Sequence, residues 1–543
     1  MRKGAVTAAA LLLYLGAASG CSRCGRSSDP PPERLLPADA SFAVVAPRLR
    51  DIQRELSSLS RAALGFPAAA ELSEALGALR ARLGFDPFDP RVLEQAGLDP
   101  ERGLGVAYHA RGPPLVALPV ADGRRLEAAV AYVAKEKLGA GLRDRVRHGN
   151  VNVITFRERE DAPPALALAV QQGTALLSPG PDGPARVIAA AALSAAGSLA
   201  SSPAFGQARA VLGEGQALVA FAPAGSPALA RLPFARDGAA LGVTFSAARL
   251  AVRAALLLPA ARAEVWRQAF GAGHEAGSEA LSLLPADAFL LVRFGGDPAT
   301  LARSALPHLP DGAATALARA RLEAGRDLLA QLTPGMAASL SLAPTFDVAA
   351  VSRGAAQATA GDPFRLVHLA VALEVKDPRR AVKELERLAG AAPRLGLNVA
   401  PCKARGLPGW RIARGAAEVR LALEGKRLFV AGGRGRLEAL LARTGRGRDA
   451  GPSDAARAAL GSGAVGGVID FGQLVASFRA LPPRAYGSGP DAYVMRSLAE
   501  RIVDPASRLV AASLRLDVVE AAARFELVLE AQPEATPTET HLR

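Results

Sequence analysis

The hexapeptide Leu35-Leu36-Pro37-Ala38-Asp39-Ala40 occurs a second time as Leu283-Leu284-Pro285-Ala286-Asp287-Ala288. A repeat at that separation constrains the fold more than any local pattern, because each copy must then be a unit able to build its own core. In a chain rich in Ala and Leu one identical hexapeptide can arise by chance, so the test is whether further pairs follow in the same order. They do. The stretch 118–125 (LPVADGRR) answers to 373–380 (LEVKDPRR), and in both an apolar strand ends at an Asp placed to cap a helix, Asp122 before 124–138 and Asp377 before 379–388. Next, 167–180 (ALAVQQGTALLSPG) matches 419–432 (VRLALEGKRLFVAG), two short apolar strands around a Gly-containing turn, the signature of a hairpin. Then 208–213 (ARAVLG) matches 456–461 (ARAALG), each a helix end followed by a strand, 217–222 and 465–471. Each copy closes on a hairpin-like stretch, 241–258 and 509–529.

This order predicts two tandem homologous units, 35–262 and 281–531, joined by a linker 263–280, with an extra piece near 486–502 in the second and a disordered tail 532–543 that lacks apolar periodicity. Helices alternate with runs of paired strands and short turns. That pattern predicts an α+β fold in which each unit has a mainly antiparallel sheet with packed helices, rather than a regular βαβ array. Half of the residues are hydrophobic, ample for two cores.

Ahead of the first unit stand Arg2 and Lys3, an apolar stretch 5–15, and small residues 16–20, in the order a secretory signal requires. The stretch is too short to span about 30 Å of hydrocarbon, which takes roughly 20 apolar residues. The best later apolar run, 187–200, is Ala-rich and short, and predicts a core helix. Ala18-Ser19-Gly20-Cys21 resembles the bacterial lipobox, with Ala where Leu is commoner. The resemblance implies a signal peptide at 1–20, cleavage before Cys21 and diacylglyceryl transfer to its thiol. Two or more chains, at about 0.8 kcal/mol per buried methylene, anchor a protein stably to a membrane that it does not cross. Residues 21–34, polar and with three prolines near their end, then form a flexible tether. Ser22 stands where enteric inner-membrane lipoproteins carry Asp, so the expected location is the cell envelope, on the outer membrane.

The opening LPADA, with Gly84-Phe85-Asp86-Pro87 and Ala96-Gly97-Leu98-Asp99-Pro100 after it, resembles a diffuse group of uncharacterised, internally duplicated envelope proteins of GC-rich bacteria. The resemblance covers the start of each unit, implies no catalytic residue, and is weaker in the second unit, which lacks the Phe-Asp-Pro element.

The net charge of +14 is carried almost entirely by Arg, as in the product of a GC-rich genome. With 5% aromatic residues and no basic stripe interleaved with aromatics, nucleic acid is not an expected partner. Cys21-Ser22-Arg23-Cys24 has redox spacing, but a thioether at Cys21 removes that chemistry. Cys24 and Cys402 either pair in an oxidising compartment or leave Cys402 as a buried thiol. Gly461-Ser462-Gly463-Ala464-Val465-Gly466 fits a dinucleotide pattern with helix and strand in the wrong order, so a helix end and turn explain it. Gly432-Gly433-Arg434-Gly435-Arg436 follows a strand and precedes a helix 437–444; there Arg434, Gly435 and Arg436 are candidates to hold an anion, although a plain strand-to-helix turn explains them as well. His368 lies inside an apolar strand, His109 ends one, and His148, His274 and His308 fall in expected loops, without the spacing of a zinc site. No hydrolase, metalloprotease or phosphate-loop motif is present. The expectation is therefore a membrane-anchored lipoprotein without catalytic residues, metal or cofactor, acting as a binding or structural module whose partner is an envelope protein or a lipid ligand. The alternatives are an apolar-ligand or lipid carrier, and an uncatalogued hydrolase.

Overall fold

The computed structural model describes residues 31–51, 89–110, 112–230, 237–246, 248–270, 278–300, 328–354, 361–443, 452–460 and 463–532, with the single residues 74, 77, 78, 81 and 359. The chain divides into two compact units, Met1–Pro259 with Ala522–Arg524 and Ala260–Ala521 with Phe525–Arg543.

Unit 1 contains β1 (Phe42–Ala46), β2 (Leu104–Tyr108), β3 (Leu115–Pro119), β4 (Leu142–His148), β5 (Val151–Arg157), β6 (Leu166–Gln171), β7 (Thr174–Pro179), β8 (Leu218–Pro223), β9 (Gly238–Ser246) and β10 (Arg249–Leu257). They hydrogen-bond in the order β4-β5-β6-β7-β3-β2-β1-β8-β9-β10, every pair antiparallel. Because strand side chains alternate between faces, the central strands feed two cores. In β6, Leu166 and Leu168 join one cluster while Ala167 and Ala169 join the other. Helix α1 (Gly123–Leu138) covers the first face with Leu126, Val130 and Val133, and α2 (Gly183–Ala191) and α3 (Pro203–Leu212) cover the second with Val187, Phe205, Ala208 and Val211. The run 187–200 is not one helix. Its backbone leaves the helix after Ala191, and the Ser194 side chain accepts a bond from the Gly197 N–H to open a separate 3-10 turn, a competition that Ser often wins against helix.

Unit 2 contains β11 (Leu290–Phe294), β12 (Met336–Leu342), β13 (Val367–Glu374), β14 (Asn398–Ala404), β15 (Leu407–Arg414), β16 (Ala417–Glu424), β17 (Arg427–Gly432), β18 (Val465–Asp470), β19 (Leu509–Val519) and, from Phe525 on, β20 (Ala522–Ala531). Its order is β14-β15-β16-β17-β13-β12-β11-β18-β19-β20, that of unit 1 strand for strand. Its helices include α4 (Ala260–Phe270), α5 (Val348–Arg353), α6 (Pro378–Ala391), α7 (Arg436–Leu441), α8 (Asp454–Leu460), α9 (Phe471–Arg479) and α10 (Pro490–Ala506). Like α1, α6 packs one face, through Ala381 and Leu385; like α2 and α3, α7 and α8 pack the other, through Leu437, Leu440, Ala456 and Leu460. The segment read as a linker begins as α4, whose Phe270 packs edge-on against Phe294 at 6.2 Å, so unit 2 starts earlier than the repeat indicates.

The shared caps behave as their sequence requires. The Asp122 carboxylate accepts from the Arg124 and Arg125 N–H groups at 3.0 and 3.2 Å, and Asp377 from Arg379 and Arg380 at 2.9 and 3.2 Å. Each cap contributes about 1 kcal/mol to its helix.

Candidate functional site

The two units differ in two connections: between β12 and β13, where residues 343–366 with α5 stand in place of 109–114 of unit 1, and after their eighth strand in sheet position. In unit 1 the chain runs from β8 to β9 through residues 224–237; in unit 2 it runs from β18 to β19 through residues 471–508, which fold as α9 and α10. Asp470 caps α9, accepting from the Gln473 N–H at 2.9 Å. Gly489 precedes α10, which opens on Pro490, a residue whose missing N–H costs nothing in the first turn.

Between α5, α9 and α10 lies a hollow of about 300 Å³ whose lining side chains are all apolar. From α9 come Leu474, Val475 and Phe478. From α10, Met495, Ala499 and Val503 recur at every fourth residue and so share one face of the helix. Val348 and Val351 of α5, with Phe346 before it, complete the wall, and Phe346 meets Phe478 edge-on at 5.5 Å. Two lining residues, Val351 and Leu498, are also exposed at the surface, at 38% and 47%, which places the mouth there. Beside Leu498 on α10, Tyr493 and Val494 are exposed at 79% and 57%. An ion pair between Arg479 and Asp504 at 3.7 Å joins the C-terminal ends of α9 and α10 next to the lining residues Phe478 and Val503. A hollow without polar partners holds water poorly and accepts hydrocarbon, and about 300 Å³ is the lower end of the range that holds small ligands.

At the candidate anion site Arg436 is already paired within the protein. The Arg436 guanidinium, 11% exposed, donates to both Asp287 carboxylate oxygens at 3.0 and 2.8 Å and to the Ser341 hydroxyl at 2.5 Å. Arg434 is exposed, and Gly435 takes the left-handed conformation, φ 71°, at the start of α7. Asp287 is the acid of the repeated hexapeptide. Burial pushes its carboxyl upward, but hydrogen bonds and charge from Arg436, with the Ser341 bond, outweigh this and hold it below its ordinary value. His368 stands against the same turn: a Cβ on Gly433, whose φ is 108°, would lie 2.3 Å from its ring. Burial and the Arg436 charge lower the His368 pKa, against the pull of Asp287 and Asp362. Unit 1 carries a looser version, with His109 Nε2 3.5 Å from Asp39 and its pKa lowered by burial and by Arg186.

Unit 1 also has a cleft of about 720 Å³, with Val45, Phe205 and Val219 among its lining. Its charges are largely taken up by the protein: Arg209 pairs with Glu33 at 2.7 Å, and Arg102 donates to the Gly173 carbonyl at 2.8 Å. Cys402 is a half-buried thiol on β14, pushed up in pKa by burial. Cys21, Cys24, His274 and His308 lie outside the described residues. Among the described residues no helix is long and apolar enough to cross a membrane, and no group of three His, Cys, Asp or Glu is placed to hold a metal.

No family model matches this chain, and no curated protein does. Among solved structures it is similar to three crystal forms of TP0453, III, IV and I, at 9%, 11% and 10% identity and TM-scores of 0.24, 0.25 and 0.24. Each match covers 43% of this chain and 80–82% of the other.

Proposed function

We propose that this chain is an envelope lipoprotein, anchored through Cys21 to the outer membrane, that acts as a non-enzymatic binding module and takes an apolar ligand in the hollow of unit 2. One observation carries the reading: at two connections where unit 2 is longer than unit 1, 471–508 and the β12–β13 connection that holds α5, the added helices close around a wholly apolar hollow with an open mouth. A helix pair added merely to stabilise the sheet gains most by filling its interior, since an unfilled apolar volume costs about 24 cal/mol per Å³. A hydrocarbon group in the hollow removes that cost. Duplication fits the same reading: one copy keeps the plain plan, and the other carries the site.

The experiment is native mass spectrometry of the purified chain, alongside a variant in which Ala499→Trp fills the hollow. The expected result is an apolar adduct on the parent that disappears in the variant, with the circular dichroism spectrum unchanged. An adduct equally retained by the variant, or a parent that takes up no fluorescent fatty acid when it is supplied, removes the reading. Palmitate labelling tests the anchor separately: Cys21→Ala is expected to abolish the label.

A further inference from the structure

The sheet of unit 1 begins with β4, which pairs only with β5 among the described residues, and all seven of its residues are exposed. The hairpin loop is Gly149-Asn150, since His148 faces Val151, and Gly149 has φ 59°. A two-residue loop makes the flanking pair exchange both backbone bonds, and bonded and non-bonded pairs then alternate along the ladder. His148, Val146, Asp144 and Leu142 therefore bond to β5. Arg143, Arg145 and Arg147 turn their backbone N–H and C=O groups outward, to the free edge.

The matching edge of unit 2 is β14, paired with β15 across the loop Arg405-Gly406, with Ala404 facing Leu407. The same alternation turns Val399, Pro401 and Lys403 outward. Pro401, in the middle position, offers no donor, and Lys403 adds charge, so this edge is closed to further strands in the usual way. In unit 1 the equivalent of Pro401 is Arg145. Its edge keeps every donor and carries three guanidiniums at alternate positions on one side. Glu127 on α1 meets two of them, Arg143 at 2.7 Å and Arg145 at 2.7 and 2.8 Å, which is one carboxylate against two cations. The Arg147 Nε donates to the Gly149 carbonyl at 3.0 Å. The whole α1-β4-β5 segment, 123–157, has eight Arg or Lys against three acids.

We infer that β4 is a docking edge for an extended acidic peptide, which adds a strand to the sheet of unit 1. The residues opposite Arg143, Arg145 and Arg147 share their face and sit directly across from them, so the partner sequence carries Asp or Glu at every second position. A second copy of this chain is a poor occupant. Antiparallel self-pairing about Arg145 sets Arg145 against Arg145 and Arg143 against Arg147. A lipid surface offers charge but no backbone groups to satisfy the edge.

The test is fluorescence anisotropy of the full chain with a labelled peptide in which Glu alternates with Val. Expected is salt-sensitive binding, weakened at least tenfold by Arg145→Pro, which copies unit 2 and removes an N–H that bonds to nothing in β5. Because that variant can disturb the hairpin, a second probe leaves the protein untouched: the same peptide N-methylated at its bonding positions keeps its charge and is expected to lose the same tenfold. Amide exchange should slow at Arg143, Arg145 and Arg147 on binding. Equal affinity for the methylated peptide, or binding without protection of those amides, overturns the inference, as does equal binding of Arg145→Pro to vesicles of phosphatidylglycerol and to the peptide. None of these outcomes depends on the hollow of unit 2.

Discussion

Two sheets with one strand order differ in what they do with the space beyond the eighth strand. Unit 1 closes it with a short connection, and unit 2 inserts α9 and α10 and encloses a hollow. Because the strands on either side, β8-β9 and β18-β19, pair in the same way, the insertion is an addition to a framework that stands without it. This permits the largest change among our predictions. Replacing residues 471–508 by the unit 1 connection, 224–237, is expected to leave the sheet signal in circular dichroism intact and to abolish uptake of a fluorescent fatty acid. Uptake that survives the exchange would move the binding site out of unit 2 and make the cleft of unit 1 the better candidate.

The second difference lies in the repeated hexapeptide itself. Asp287 and Asp39 occupy the same place in identical sequences, yet Asp287 holds a guanidinium that is 11% exposed, whereas Asp39 is 83% exposed and faces a histidine at 3.5 Å. Asp287→Asn leaves Arg436 without its anion, and the Arg436 Nε already lacks a partner. We expect a loss of about 1–3 kcal/mol, the cost of stranding a largely buried polar group. Asp39→Asn is expected to cost less than about 1 kcal/mol, as for an exposed pair. Urea denaturation of the two variants measures both. Equal losses would mean that the acid serves the turn of the hexapeptide rather than its partner.

What was legible in the sequence was whatever depends on neighbours along the chain. The caps at Asp122 and Asp377, the hairpins β6-β7 and β16-β17, and the additional piece that became α10 all announce themselves by local spacing. The Arg436 pair does not, because its partner lies 149 residues away and nothing local distinguishes an arginine that binds an anion from one that is already bound. β4 was missed for a different reason. LRDRVRH alternates, but with Arg on one side and Leu142, Asp144, Val146 and His148 on the other, it has no buried face to give the period-two signal, so His148 read as part of a loop. The hollow has a partial trace in the sequence: Met495, Ala499 and Val503 mark an apolar face on α10, but an empty interior and a filled one share that pattern.

The smallest expected effect concerns pH, and it again sets one unit beside the other. His109 and His368 both have pKa values below the ordinary 6.5, in each case through burial first and a nearby arginine second. The folded chain therefore binds fewer protons than the unfolded chain as pH falls through 6.5 toward the lowered values. Stability rises with pH across that window and falls as acid is added. Asp287 acts in the same direction at lower pH, since its depressed carboxyl contributes stability that disappears as pH falls through the folded value. His368→Gln, which cannot take up a proton, is expected to be nearly neutral at pH 8 and to reduce the drop in melting temperature between pH 7.5 and 5.5. His109→Gln should do the same. The two histidines lie at the same end of their sheets, His109 just after β2 and His368 near the start of β13. If only one variant flattens the profile, the resemblance between the two polar clusters is geometric and not energetic, and the arginine that is locked to its acid, Arg436, is the one that sets the response.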